Sequence, residues 1–171
     1  MKPYRLVAIL VLALTAGVFS PAAYASEPTL LSTHDAWSAY TFKENGNTVC
    51  YMASEPIKEE GNYSRRGKIY ALITNRPAEG SKNVFSYIAG YPYKEASEAI
   101  LQIDGTKFSL FTQDESAWAP DAETDGRIAN AVRQGSKMIV KGTSRRGTLT
   151  TDTFSLKGSS AALDAITKAC Q

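Results

Sequence analysis

From Trp37 to Leu156 the apolar positions recur in short runs rich in Tyr, Phe, Ile, Val and Thr, with Gly, Pro, Asn and Asp between the runs. Short alternating runs bounded by turn formers are the mark of antiparallel strands. The pattern predicts strands over 36–42, 48–53, 68–74, 84–89, 99–103, 107–112, 137–142 and 148–156. The sharpest local signal is "LQIDGTKFSLF", in which Asp104 and Gly105 supply the positive φ angles of a two-residue type I′ turn. Ala99, Leu101 and Ile103 alternate before that turn, and Phe108 and Leu110 after it, so one face of this hairpin is expected to be buried. Phe111 points to the other side and is expected to lie under a loop.

Two stretches switch to helical spacing. Between Asp121 and Gln134, Ile128, Ala131 and Val132 share a face, acids come early (Asp121, Glu123, Asp125) and Gly135 follows, as capping and dipole rules require. Gly126 sits awkwardly near the start. In "GSSAALDAITKACQ", Ser159 or Ser160 is the expected cap, and Ala162, Leu163, Ile166, Ala169 and Cys170 form one face. That face turns Cys170 toward the core, where a strand carrying Cys50 can meet it. Residues 26–35 show no such pattern and are expected to form a loose N-terminal lead. The expected fold is mainly β: an antiparallel β-sandwich or flattened barrel with a short internal helix and a C-terminal helix docked by a disulfide.

The longest apolar run changes the picture, because it stands outside this domain. Lys2 and Arg5 precede "LVAILVLALTAGVF", and Ala23-Tyr24-Ala25 gives a small-x-small cleavage site, so residues 1–25 read as a secretory signal peptide. The run is shorter than the roughly 20 residues of a membrane span. Residues 26–171 carry no linker or repeat and read as one domain, with no transmembrane span expected after cleavage. Removing Lys2 and Arg5 brings nineteen basic residues to seventeen, against seventeen acidic. A near-neutral mature chain does not suggest a nucleic-acid partner. Export also places Cys50 and Cys170 where thiols oxidise, and an even count predicts that they pair.

The candidate chemistry is sparse. "SRRG" occurs at 64–67 and again at 144–147. "VKGTSRRGTLTTDTFSL" reads most simply as a hairpin with SRRG at its tip and its arginines in water. The functional alternative is that Arg65, Arg66, Arg145 and Arg146 converge and grip a carboxylate, phosphate or acidic partner by forked hydrogen bonds. Asp152 shares strand parity with Phe154 and Leu156, so it needs a partner on an apolar face or a bulge to turn it outward. Tyr91 and Tyr93, either side of Pro92, pack a loop on the sheet or present a contact patch. Trp37 and Trp118 are expected as core anchors, with Trp118 alternatively lining a groove. A single histidine, His34, and two paired cysteines leave little for zinc or for His-based nucleophilic catalysis. Neither a metal nor a cofactor is called for, and phosphate-binding glycine loops are absent.

Several of these features recur together in one family. Trp37 ahead of a strand bearing Cys50, "RP" at 76–77, "GYP" at 90–92, "AWA" at 117–119, "KGTSRRGTLTTDTFSLKG" at 141–158 and "AC" at 169–170, behind a signal peptide, resemble the invasion-associated locus B family of exported bacterial proteins. The likeness spans nearly all of the mature chain, and the string at 141–158 is its most specific part. The resemblance implies a periplasmic or secreted, outer-membrane-associated protein, linked in some pathogenic members to host-cell entry, and it implies no catalytic residues. The expectation is a noncatalytic envelope-interaction protein, monomeric or weakly oligomeric. Its partner would be an envelope or host-surface protein or an anionic ligand. The alternatives are a hydrolase of envelope polymer acting through Asp152 or another acid, and a structural or stress-related envelope protein.

Overall fold

The computed structural model describes residues 26–171, and the leader expected over 1–25 lies outside the described residues. The strands are β1 (Thr29–His34), β2 (Trp37–Glu44), β3 (Asn47–Ser54), β4 (Lys58–Gly61), β5 (Tyr70–Arg76), β6 (Ser81–Ile88), β7 (Glu98–Ile103), β8 (Thr106–Gln113), β9 (Ser116–Trp118), β10 (Lys137–Thr143) and β11 (Leu149–Ser155). Helices α1 (Ala122–Gln134) and α2 (Ser159–Ala169) follow β9 and β11, and a single 3₁₀ turn spans Pro77–Glu79. All strands belong to one antiparallel sheet in the order β1-β2-β3-β5-β6-β9-β8-β7-β10-β11-β4.

Side-chain contacts show that this sheet curls on itself. Strands β2 and β11 stand eight places apart, which in a flat sheet would separate them by roughly 38 Å at the usual strand spacing. Yet the Trp37 indole donates to the Ser155 carbonyl at 3.0 Å. Tyr87 of β6 and Phe154 of β11 pack edge to face at 6.2 Å although five places separate their strands. The inward faces of the alternating strands therefore share one core, which includes Met52, Ile73, Phe85, Leu101, Leu110 and Val140, none of them accessible to solvent. Each such side chain contributes about 1.5–3 kcal/mol by its removal from water. The expected sandwich or flattened barrel takes this form: one sheet wrapped around a single interior.

The Asp104-Gly105 turn joins β7 to β8 with both residues at positive φ, and Ala99, Leu101, Ile103, Phe108 and Leu110 are buried together. Phe111 departs from expectation. The sheet continues past it into β9, so Phe111 faces Trp118 across the strands and remains 46 % exposed instead of lying under a loop. The N-terminal lead is also corrected. Residues 29–34 form β1, paired with β2 through a tight turn in which Asp35 has φ 49°. As an edge strand with little buried on either side, β1 carries no alternation to betray it. The opposite edge, β4, was likewise unforeseen; its Lys58, Glu59 and Glu60 are exposed, a charge pattern that discourages edge-to-edge association.

Helix α1 begins where expected, with the Asp121 carboxylate accepting from the Thr124 amide at 2.7 Å, and it packs on β6. Helix α2 covers β1, β2 and β3 and touches α1. Its cap differs from the sequence expectation: Gly158 occupies the N-cap, while the Ser159 hydroxyl crosses to the Val132 carbonyl at 2.7 Å and joins the two helices. Ala162, Leu163 and Ile166 are buried as predicted, whereas Ala169, in the last turn, is exposed. Just beyond it, Cys170 bonds to Cys50 on the inner face of β3, with the Cα atoms 6.0 Å apart.

This bond closes a sequence separation of 120 residues. Replacing both cysteines by alanine is expected to lower stability by about 4 kcal/mol, mainly by freeing the unfolded chain. Urea unfolding of the variant and of the oxidised parent checks this; coincident midpoints would contradict it.

Candidate functional site

The site is built on the residue whose place in the sequence is hardest to justify. Along β11, Thr150, Asp152 and Phe154 point inward, and Asp152 is completely buried. Its register with β10 is regular from Lys137↔Ser155 to Thr143↔Leu149, so no bulge turns it out. Instead Arg66 reaches in from the loop between β4 and β5 and forks onto the carboxylate, with both N–H···O distances 2.7 Å. Tyr87 of β6 donates to the same carboxylate and accepts from Arg66 at 3.0 Å. The Arg66 Nε–H donates to the Ala89 carbonyl at 2.7 Å. A buried ion pair is tolerable only when most of its remaining hydrogen-bonding positions are filled, and here four of the five guanidinium N–H groups have acceptors. Burial alone would lower the Arg66 pKa, but the hydrogen bonds to Asp152 together with the Tyr87 and Asp152 charges more than offset it and raise it. Burial, then the Asp152 charge, pushes the Tyr87 phenol up, so Tyr87 remains a donor.

This pair fixes the first SRRG segment. Residues 62–69 have no regular structure, yet the Gly67 amide donates to the Gly90 carbonyl at 2.8 Å. Gly90 sits at φ 70°, and a Cβ there would come within 2.5 Å of the Gly67 oxygen. Only glycine combines that backbone angle with so close an approach. The Arg66 guanidinium lies 4.9 Å from the Tyr91 ring centre and 5.4 Å from that of Tyr63.

The second SRRG segment is the hairpin tip that its sequence predicts. The Ser144 amide donates to the Thr148 carbonyl at 2.9 Å, the Gly147 amide to Ser144 O at 2.8 Å, and the Thr148 amide to Ser144 Oγ at 3.2 Å. The Arg145 amide donates to Pro92 O at 2.8 Å, and Tyr93 bridges Ser144. The segment Gly90–Pro92 is therefore gripped by one SRRG from each side. Between them opens a cleft of about 680 Å³, lined by residues 62–67, 90–92, 144–146, 148 and 150.

The structure thus brings Arg65, Arg66, Arg145, Arg146 and Tyr91 to one place and gives them different tasks. Arg65, Arg145 and Arg146 are exposed. Arg66 borders the cleft, but its side chain is only 3 % exposed and is committed to Asp152, which removes it both from the expected solvated arginines and from the alternative of four ligand-gripping ones. Tyr91 lines the cleft with its hydroxyl 2.6 Å from that of Thr150. Tyr93 is no contact patch: it is buried behind Gly142, and among the described residues its hydroxyl has no partner. Trp118 is half-buried and far from a core anchor; with Phe111 it borders a separate shallow groove. Trp37 is the buried anchor expected.

Asn62, Tyr63, Thr148 and Thr150 were not singled out from sequence. Thr150 shares the inward parity of Asp152, and Tyr63 immediately precedes the first SRRG, so both had a readable signal. Asp152 has its carboxylate occupied and no access to solvent, which leaves it unable to act as a general acid or base while the pair is closed. Among the described residues no group of His, Cys, Asp and Glu is arranged to hold a metal ion, and no helix is long and apolar enough to cross a membrane.

The family model described as "Invasion associated locus B (IalB) protein" matches residues 37–167, well over half of the chain. No curated protein and no solved structure matches it.

Removing one member of the buried pair leaves the other charge stranded, at a cost of about 3–5 kcal/mol. Asp152→Asn should therefore be strongly destabilised in urea unfolding, and Arg66→Met/Asp152→Leu should recover a large part of that loss. A single variant within about 1 kcal/mol of the parent would contradict the assignment.

Proposed function

The chain belongs to the invasion-associated locus B family, and on that premise we propose that it is an exported, noncatalytic envelope-interaction protein whose arginine cleft engages an anionic group on its partner. In this reading residues 1–25 are the export signal, and 26–171 act as one domain in the periplasm or after secretion. The partner belongs to the envelope or the host surface.

The observation that carries the proposal is the convergence of two identical tetrapeptides, far apart in sequence, on one cleft. Three exposed arginines surround it, and guanidinium forks suit carboxylate and phosphate oxygens. The wall behind them is rigid because Arg66, Gly67, Gly90 and Thr148 are all hydrogen-bonded. Rigid walls limit the ordering cost of binding. The competing reading, a hydrolase working through Asp152, finds its acid enclosed.

Cosedimentation with a bacterial envelope fraction tests the proposal. Arg65→Ala/Arg145→Ala/Arg146→Ala is expected to lose most of the bound protein. Lys82→Ala/Lys107→Ala/Lys168→Ala, which removes the same charge from exposed sites elsewhere, should bind like the parent. Equal binding by both triple variants would remove the cleft from the proposed role.

A further inference from the structure

The charge around the cleft is not balanced. Of its four arginines, Arg66 is neutralised by Asp152. Arg65, Arg145 and Arg146 take part in none of the described ion pairs. No Asp or Glu is among the described lining residues. Three positive charges thus face one opening although the seventeen basic and seventeen acidic residues of 26–171 cancel overall. Like charges held together repel one another, and a site that keeps them without acids is complementary to a ligand that supplies several negative charges.

Size points the same way. A lone carboxylate or phosphate meets one or two guanidinium forks, whereas the cleft measures about 680 Å³. That volume is typical of sites for extended small molecules. The arginines also come from two separate segments, Arg65 from the loop between β4 and β5 and Arg145 and Arg146 from the hairpin tip, so no single point group is required to satisfy them all. Tyr91 and Thr150, whose hydroxyls lie 2.6 Å apart, also line the cleft and add a neutral polar surface to it.

We infer that the ligand of this cleft is a polyvalent oxyanion: a chain or saccharide bearing at least two phosphate, sulfate or carboxylate groups that span the two SRRG turns. The inference rests on the cleft being the anion-binding surface proposed above and adds the valence and reach of what it holds. Arg65 on one segment and the Arg145–Arg146 pair on the other engage separate anionic groups of the same molecule. Charge-assisted bonds to both segments act together only when one ligand bridges them.

Isothermal titration of residues 26–171 at low salt tests this with five probes: acetate, inorganic phosphate, tripolyphosphate, a trisulfated disaccharide and a trigalacturonate. At least one of the three polyvalent probes is expected to bind about tenfold or more tightly than phosphate and acetate, and to weaken steeply with added NaCl. Which one does so separates a phosphate chain from a sulfated or carboxylated saccharide. Arg65→Ala and Arg145→Ala/Arg146→Ala should each abolish the advantage of the polyvalent probe while leaving the unfolding midpoint unchanged. Phosphate or acetate binding as tightly as every polyvalent probe would overturn the inference and leave the anion cleft standing. Binding of none of the five would remove both.

Discussion

A carboxylate on the apolar face of a strand must find a counter-charge, and the position of Asp152 dictates much of what surrounds it. The partner, Arg66, lies 86 residues earlier, in a segment with no regular structure of its own. Holding that segment against β11 closes the space beneath Tyr91 and sets Gly67 against Gly90. It also leaves Arg65, the preceding residue, outside and free. One tetrapeptide therefore yields an inward anchor and an outward, solvent-facing charge from adjacent arginines. The same tetrapeptide at 144–147 is a hairpin tip with both arginines in water. Identical local sequence takes two roles because only one copy has a buried carboxylate within reach.

The buried pair is an expensive way to position a loop. Desolvating two charges offsets much of their attraction, and an apolar replacement of similar volume often stabilises a fold as well or better. What the pair supplies is geometry: the fork of Arg66 fixes two bonds to Asp152, one to the Ala89 carbonyl and one to Tyr87, and so leaves the loop a single arrangement. The disulfide acts at the other end of the chain. Joining Cys170 to β3 seats α2 over the first three strands. The Trp37–Ser155 hydrogen bond draws β2 toward β11 within the same interior.

The strands that alternate strongly were legible, as were α1, α2 and the Cys50–Cys170 bond, because each buries one defined face or meets one compartmental constraint. Strands β1, β4 and β9 were not, since short edge or bridging strands bury too little to imprint a pattern. Asp152 announced its need for a partner or a bulge through parity with Phe154, and the ion pair is the answer the structure gives. Its identity was hidden, because nothing local links residue 66 to residue 152. At Tyr93 the sequence left loop packing and an exposed patch both open, and the structure takes the first, because the missing side chain of Gly142 makes room for its ring in the interior.

The claim on which the whole account depends is that Arg66, bound to Asp152, holds the first SRRG segment in place and thereby forms one wall of the cleft. Amide hydrogen exchange resolved by residue, comparing Asp152→Asn with the parent under native conditions, measures that directly. The account predicts that the Gly67 amide, hydrogen-bonded to Gly90 in the parent, loses protection far more than the Ser144 and Thr148 amides of the second turn. Undiminished protection at Gly67, or equal loss at both turns, would contradict it.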